Sequence, residues 1–321
     1  MGIIVKKFTE DHIDRAVDIF SKIYSWEREV SPLLPPHPLT EPDRIGNALR
    51  LLIQTGPGIS LFEDDRMIAY MITGDRFDCK GQKAVMIPEY AHGAEIDMDL
   101  AWEPIYRQMY KELAAQWLKE GIHLHFIGFM AHDQELKDIL FQLGFGGYLT
   151  ERIRDLSDIM TVGGSFSIEP SDEPEELYEL RKDQYAGFES SPIFMKKKPC
   201  REALVRDLQK FNDEGDALFV YRSDNGIGAY MAVGESVGQG EGFLLRNTRT
   251  AQIKSAYVKP DLRNQGIGLN LLKKSIQWAR EEGFDALFVE HETANSEGSA
   301  FWGKHFDPYV HFAMRYIDNT L

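Results

Sequence analysis

Arg263-Asn264-Gln265-Gly266-Ile267-Gly268 is the stretch on which the reading of this chain turns. An extended run, Ala251 to Val258, precedes it and ends in the turn residues Lys259-Pro260-Asp261; a helix is predicted after it, from Leu269 to Glu282. Strand, glycine-rich turn and helix N-terminus in that order aim successive backbone N–H groups at one spot, and the positive end of the helix reinforces them. Gly266 and Gly268 let the main chain approach a ligand closely. Arg263 adds a guanidinium suited to phosphate.

The loop is neither of two commoner phosphate binders. No Gly-Lys-Ser/Thr closes it, and position 271 is Leu where a dinucleotide fingerprint would place a third glycine. Beyond it, the helix carries Leu269, Leu272, Ile276 and Ala279 on one face, and Gly283 ends it. A short apolar strand follows from Ala286 to Val289, then a short helix opened by Asn295, then a last extended run from Tyr309 to Ile317. The form Arg-x-x-Gly-x-Gly after a strand ending in Val-x-Pro resembles the pyrophosphate loop of the GNAT superfamily of acyl-coenzyme A N-acyltransferases. The order of the elements after it resembles the second half of a GNAT domain.

At 321 residues the chain has the length of two such domains, and 43% hydrophobic residues supply a core for each. The two halves follow one plan. Each begins with a strand and a capped helix, Ile3 to Phe8 before Thr9 and Phe166 to Glu169 before Ser171 or Asp172. Each later has a helix ending in a similar string, Trp117-Leu118-Lys119-Glu120-Gly121 and Trp278-Ala279-Arg280-Glu281-Glu282-Gly283. The expected fold class is α/β (α+β): two tandem GNAT-like domains, 1–158 and 159–321, each a mixed, mainly antiparallel central sheet flanked by helices. The break is expected within Ser157 to Ser165, at Gly163-Gly164. The Pro-rich segment from Pro32 to Pro42 reads as a connecting loop. In place of the cradle, the first half has Pro88-Glu89-Tyr90-Ala91-His92-Gly93-Ala94-Glu95. Glu95, Asp97, Asp99 and Glu103 there would repel a pyrophosphate, so the first domain reads as a degenerate copy.

Composition bounds the partners. A net charge of −15 speaks against nucleic acid, and the basic run Lys196-Lys197-Lys198 reads as a solvated turn. No apolar run is long enough for a bilayer, and the N-terminus carries no secretory signal. Two distant cysteines, Cys79 and Cys200, suggest neither a disulfide framework nor a zinc site, which fits the cytoplasm. His123, His125 and His132 read as structural rather than as metal ligands, and no metal is expected.

The resemblance implies transfer of an acetyl group from acetyl-CoA, a co-substrate, to a primary amine on a small molecule or peptide, by direct attack. On that basis the coenzyme is assigned to Tyr257, Val258, Arg263, Asn264, Gln265, Gly266, Ile267, Gly268, Asn295 and Trp302. Asn295 has a plain helix-cap reading as well. Glu290, His291 and Glu292 are the candidate bases. The family often carries a Tyr acid seven residues after the Asn; here that position is Trp302, no practical acid, and Tyr309 is the nearest replacement. Acceptor walls are expected from Tyr185 to Cys200. The alternative is a non-catalytic acyl-CoA-binding regulatory or interaction module on the same scaffold.

Overall fold

A computed structural model describes residues 2–95, 101–160, 166–195, 199–236, 242–246 and 248–318. Asp97, Asp99, Gly163-Gly164 and Lys196-Lys197-Lys198 lie outside the described residues. The chain divides into two units: unit 1 is Met1–Thr150 with Pro308–Leu321, and unit 2 is Glu151–Asp307.

In chain order the elements up to the division are β1 (Ile3–Lys7), α1 (Ile13–Val30), α2 (His37–Thr40), α3 (Pro42–Thr55), β2 (Gly58–Glu63), β3 (Arg66–Ile72), β4 (Arg76–Cys79), β5 (Gln82–Ile87), β6 (His92–Ala94), α4 (Trp102–Lys119), β7 (Leu124–Met130), α5 (Gln134–Gln142) and β8 (Gly146–Asp155). Then come β9 (Ile168–Pro170), α6 (Tyr178–Ser190), α7 (Arg201–Asp213), β10 (Ala217–Ser223), β11 (Gly226–Glu235), β12 (Thr250–Val258), α8 (Ile267–Glu281), β13 (Ala286–Glu292), α9 (Ser296–His305) and β14 (Asp307–Tyr316). Among the described residues no helix is long and apolar enough to cross a membrane.

In unit 1, β1, β2, β3 and β6 form an antiparallel sheet in that order. A second set begins with the β4–β5 hairpin, whose turn residues Lys80 and Gly81 both have positive φ, as a tight two-residue hairpin turn requires. There β5 runs parallel to β7, and β14 lies antiparallel on β7's other edge, from Val310↔Met130 to Tyr316↔Leu124. The final run was expected to belong to the second half; its pairing with β7 puts it in unit 1. The division also falls inside β8, after Thr150, ahead of the expected break at 158. The Pro-rich stretch is partly helical. Pro42 sits at the start of α3, where its missing N–H costs nothing.

In unit 2, β12 runs parallel to β13 and antiparallel to β11, and β10 and β9 continue antiparallel beyond β11. Alternation divides the side chains between two cores. One face collects Phe219, Met231, Val233 and Ile253 under α8, which buries Ile267, Leu271, Leu272, Ile276 and Ala279 at helical spacing. The other collects Leu218, Val220, Tyr230 and Ala232 under Leu177, Leu180, Leu208 and Phe211 from the α6–α7 region.

Candidate functional site

The site begins where two parallel strands part. The β12–β13 register runs from Thr250↔Ala286 to Ile253↔Val289 and stops, while β12 continues to Val258 and β13 to Glu292. The cause lies on the other edge of β12. Its pairing with β11 jumps from Val233↔Ile253 to Ala232↔Ser255, which makes Lys254 the extra residue of a β-bulge. The bulge reverses the alternation: Ala251 and Ile253 face the α8 core, and past Lys254 it is Ala256 and Val258 that do so. Tyr257 is thereby turned to the α6–α7 face. Lys254 is pinned by ion pairs to Glu214 and to the fully buried side chain of Asp216, each at 2.6 Å. Asp216 in turn needs the bare backbone of Gly234, where a Cβ would come within 1.8 Å of its Oδ1. A strand that leaves its partner presents main-chain donors and acceptors to an extended ligand arm.

The loop at the end of that strand has the geometry of an anion cradle. Asn264 (φ 60°) and Gly266 (φ 97°) are both left-handed, and Gly266 is the N-cap of α8. The first helical N–H groups have no intrahelical acceptor. Ile267 anchors the turn in the core at 1% exposure, and Asn270 Nδ2 donates to Gly266 O at 2.9 Å. Gly268 has no positive φ; a Cβ there would meet Phe301 Cε2 at 3.4 Å and Val258 Cγ2 at 3.7 Å, ordinary contacts. Its glycine is thus not required by the backbone. Arg263 is engaged within the protein: its Nε donates to Val258 O at 2.9 Å, Nη1 pairs with Glu297, and the guanidinium lies 5.6 Å from the Tyr257 ring centroid. It ties the end of β12 to the first turn of α9. Gln265 Nε2 likewise donates back to Asp261 O at 2.9 Å.

The candidate chemical groups separate. Glu290 and Glu292 are half-buried at the end of β13, past the last β12 pair. His291, on the opposite strand face, is buried, and both ring nitrogens are occupied: Nε2 accepts from Arg152 Nε at 3.0 Å, and Nδ1 lies 3.2 Å from Glu292 O. The proton therefore sits on Nδ1. Burial pushes the His291 pKa down, the Glu292 carbonyl pushes it up, and Arg152 lowers it further. Both ring nitrogens of His291 are thus engaged within the protein. Asn295 Oδ1 accepts from Gly298 N at 3.0 Å, an N-cap bond. Trp302 packs in the α8 core, edge-on to Phe301 and Phe306. Tyr309 is fully buried and belongs to unit 1.

One group escaped the sequence reading. Arg181 on α6 donates from Nη1 to Gln184 Oε1 (2.8 Å), Tyr230 Oη (3.0 Å) and Ser255 Oγ (2.8 Å), and lies 5.3 Å from the Tyr185 ring centroid. Tyr230 Oη also bonds Gln184 Oε1 and Ser255 Oγ, both at 2.7 Å, and Gln184 Nε2 holds Ala256 O at 3.2 Å. The cluster sits on the run of β12 that has left β13. A charged residue on the apolar side of a predicted helix is the signal that could have pointed to it.

Residues 175–306 match the acetyltransferase (GNAT) family, a span that contains the bulged strand, the cradle and both strand ends. This stretch carries the likeness to GNAT acetyltransferases. Over 115 residues it is 29% identical to streptothricin acetyltransferase A of Bacillus subtilis, a match covering 36% of this chain and 58% of that protein. The chain thus spans little more than half of the relative's length. A GCN5-related N-acetyltransferase from Sphaerobacter thermophilus has a similar fold, with TM-score 0.59, 13% identity, and coverage of 99% of this chain and 97% of that one. A glucosamine N-acetyltransferase region in a fungal multi-domain β-N-acetylglucosaminidase gives TM-score 0.53 at 12% identity, covering 98% of this chain and 38% of that chain.

Unit 1 also has a pair of parallel strands, β5 and β7, with a helix, α4, between them in sequence. There β5 pairs with β7 from Ala84↔Leu124 to Ile87↔Ile127, and after Pro88 the chain leaves to pair with β3 as β6. His92 spans the opening: Nε2 donates to Gly128 O on β7 at 2.7 Å, and Nδ1 bonds Tyr106 Oη at 3.1 Å. After β6, the buried Glu95 carboxylate gathers Lys22 at 3.0 Å, Arg66 at 2.8 Å and Arg15. Burial pushes the Glu95 pKa up, but the bonds from Lys22, Arg15 and Arg66 outweigh it and hold the group at about 2. The histidines expected to be structural make protein contacts: His125 Nδ1 bonds Tyr110 Oη at 2.9 Å, His132 Nδ1 pairs with Glu27 at 2.7 Å, and His123 Nδ1 lies 3.1 Å from Ile317 O.

Proposed function

We propose that unit 2 binds acetyl-CoA and that its residues bring about transfer of the acetyl group to a primary amine by direct attack. The observation that carries this reading is the parting of β12 and β13 at Ile253↔Val289 next to the left-handed loop that opens α8. The cradle from Arg263 to Gly268 would hold the pyrophosphate through backbone N–H groups, with Arg263 shaping the loop more than reaching out of it. The main chain at Tyr257 and Val258 would pair with the pantetheine arm and polarise the thioester carbonyl. The bound coenzyme supplies an activated acyl group on a thiol leaving group. Asn295 and Trp302 would act indirectly, Asn295 by capping α9 and Trp302 by packing beneath it.

With both nitrogens of His291 taken, Glu290 and Glu292 are the groups that would draw the proton from the amine, directly or through water. Full burial of Tyr309 in unit 1 argues against it as the acid, so solvent would protonate the thiolate. Coenzyme binding is assigned to unit 2 alone, since in unit 1 His92 bridges from β6 to Gly128 O on β7 and the Glu95 carboxylate gathers three cations. The acceptor is a small molecule or peptide, neither nucleic acid nor a membrane, in keeping with the net charge of −15, and a cytoplasmic location suits the free thiols of Cys79 and Cys200.

The test is calorimetric titration of the full chain with acetyl-CoA, followed by thiol release against a panel of amines. Binding with turnover is expected; a chain that does not bind the coenzyme removes the assignment. The lack of a side-chain acid at Trp302 favours a second reading, a coenzyme-binding module without catalysis. Binding with no acetylation of any amine would select it.

A further inference from the structure

We propose that Arg181 receives a carboxylate carried by the acceptor, so that the amine acetylated in unit 2 belongs to an amino acid or another carboxylate-bearing molecule. This rests on the acetyltransferase reading of unit 2 and narrows its substrate class. The argument starts from the way Arg181 is held. Its Nη1 is committed to three neutral acceptors, Gln184 Oε1, Tyr230 Oη and Ser255 Oγ, and its Cζ lies 5.3 Å from the Tyr185 ring centroid. No carboxylate among the described residues pairs with it, although the chain has 51 acidic residues to 36 Lys and Arg. A guanidinium binds a carboxylate side-on through Nε and one terminal nitrogen. That edge is the one left over: Nε is buried without an acceptor, and Nη2 bonds no described residue.

Burial works against the charge on Arg181, and Tyr230, Tyr185 and the field of Asp207 offset it, so the group stays charged with no carboxylate bonded to it. Its surroundings fix the fork in advance. Tyr230 bonds both Gln184 and Ser255 as well as Arg181, so the guanidinium cannot turn its free edge away without breaking the network. The location fits an acceptor. Ser255 lies on the run of β12 that has left β13, two residues before Tyr257, and it faces α6 because of the bulge at Lys254. An amine attacking beside Tyr257 would thus place the rest of its molecule under Arg181.

The experiment uses the full chain saturated with coenzyme A. Glycine, β-alanine, γ-aminobutyrate, ε-aminocaproate and lysine are each titrated against the matching amide by calorimetry, and the Arg181 Nε–H resonance is followed by NMR. At least one acid should bind about tenfold or more tightly than its amide, the loss of a charge-assisted bidentate contact, and should shift that resonance. Arg181→Lys, which keeps the charge but not the side-on edge, should bring the ratio close to unity. Arg181→Met should do the same without lowering thermal stability, since the Tyr230–Gln184 and Tyr230–Ser255 bonds remain. Coenzyme binding with no acid preferred over its amide overturns the role of Arg181 alone, as does a preference that survives in Arg181→Lys. Failure to bind coenzyme A takes down the acetyltransferase reading and this inference with it.

Discussion

Gly266→Ala tests the cradle by a route that needs no substrate. Gly266 has φ 97° and ψ −2°, outside the region open to residues with a Cβ. Holding Ala in a left-handed conformation costs about 1–2 kcal/mol. If the loop keeps its shape, the variant loses that much stability, and unit 2 should melt about 2–8 °C lower. If the loop relaxes to relieve the strain, stability is recovered and the cost moves to the ligand, which must restore the cradle; coenzyme affinity then falls about five- to thirtyfold. Scanning calorimetry and acetyl-CoA titration together catch both cases. Gly268→Ala is the control. With ordinary φ and its nearest Cβ contact at 3.4 Å, it should change stability by under about 0.5 kcal/mol, so any lost affinity there reports close approach of the ligand. A Gly266→Ala protein that melts and binds like the parent would refute the reasoning.

Lys254→Met should cost about 3–5 kcal/mol by stranding the buried Asp216 carboxylate, and Asp216→Asn in the same chain should restore part of it; a loss below about 1 kcal/mol by urea unfolding would show the bulge is held by other contacts. Burial holds His92 and His125 at about 4, below the ordinary 6.5, their backbone partners Gly128 and Ile122 raising them only in part. The unfolded chain then takes up protons first, so the stability of unit 1 should be full above pH 6.5 and decline as pH falls towards 4; unfolding free energies flat across that window would contradict it. Arg263→Ala should reduce coenzyme affinity less than Gly266→Ala does, and change stability by about 1 kcal/mol or less, since Glu297 is largely exposed; a titration giving the reverse order would return the direct phosphate contact to Arg263.

Much of this was legible in the chain, and the losses have physical causes. The turn ahead of α8 could be read because its glycines and the helix after it are local, and only the left-handed cap moved the helix start from Leu269 to Ile267. The bulge could not. Straight alternation would set Ile253, Ser255 and Tyr257 on one face, and one inserted residue, Lys254, leaves no mark on the hydrophobic pattern. Arg181 was missed because its burial is decided by Tyr230 and Ser255, 49 and 74 positions away. His291 suits a base by residue type, but Arg152 on β8 takes its Nε2 from 139 positions away. The last strand pairs with β7 of unit 1 although it follows unit 2 in the chain, because adjacency in sequence says nothing about which sheet has an edge to offer.

That last strand has a consequence for how the protein is made. Since β14 pairs with β7 across the whole of unit 2, the unit begun first on the ribosome is finished last. Until it arrives, β7 presents a run of apolar backbone with one side unpaired, the kind of edge that recruits chaperones or sticks to its neighbours. Cutting the gene between the halves would hand each fragment the wrong set of strands. A circular permutant that joins β14 to the start of β1 would instead let unit 1 close early, and a faster, cleaner refolding of that permutant is what this connectivity leads one to expect.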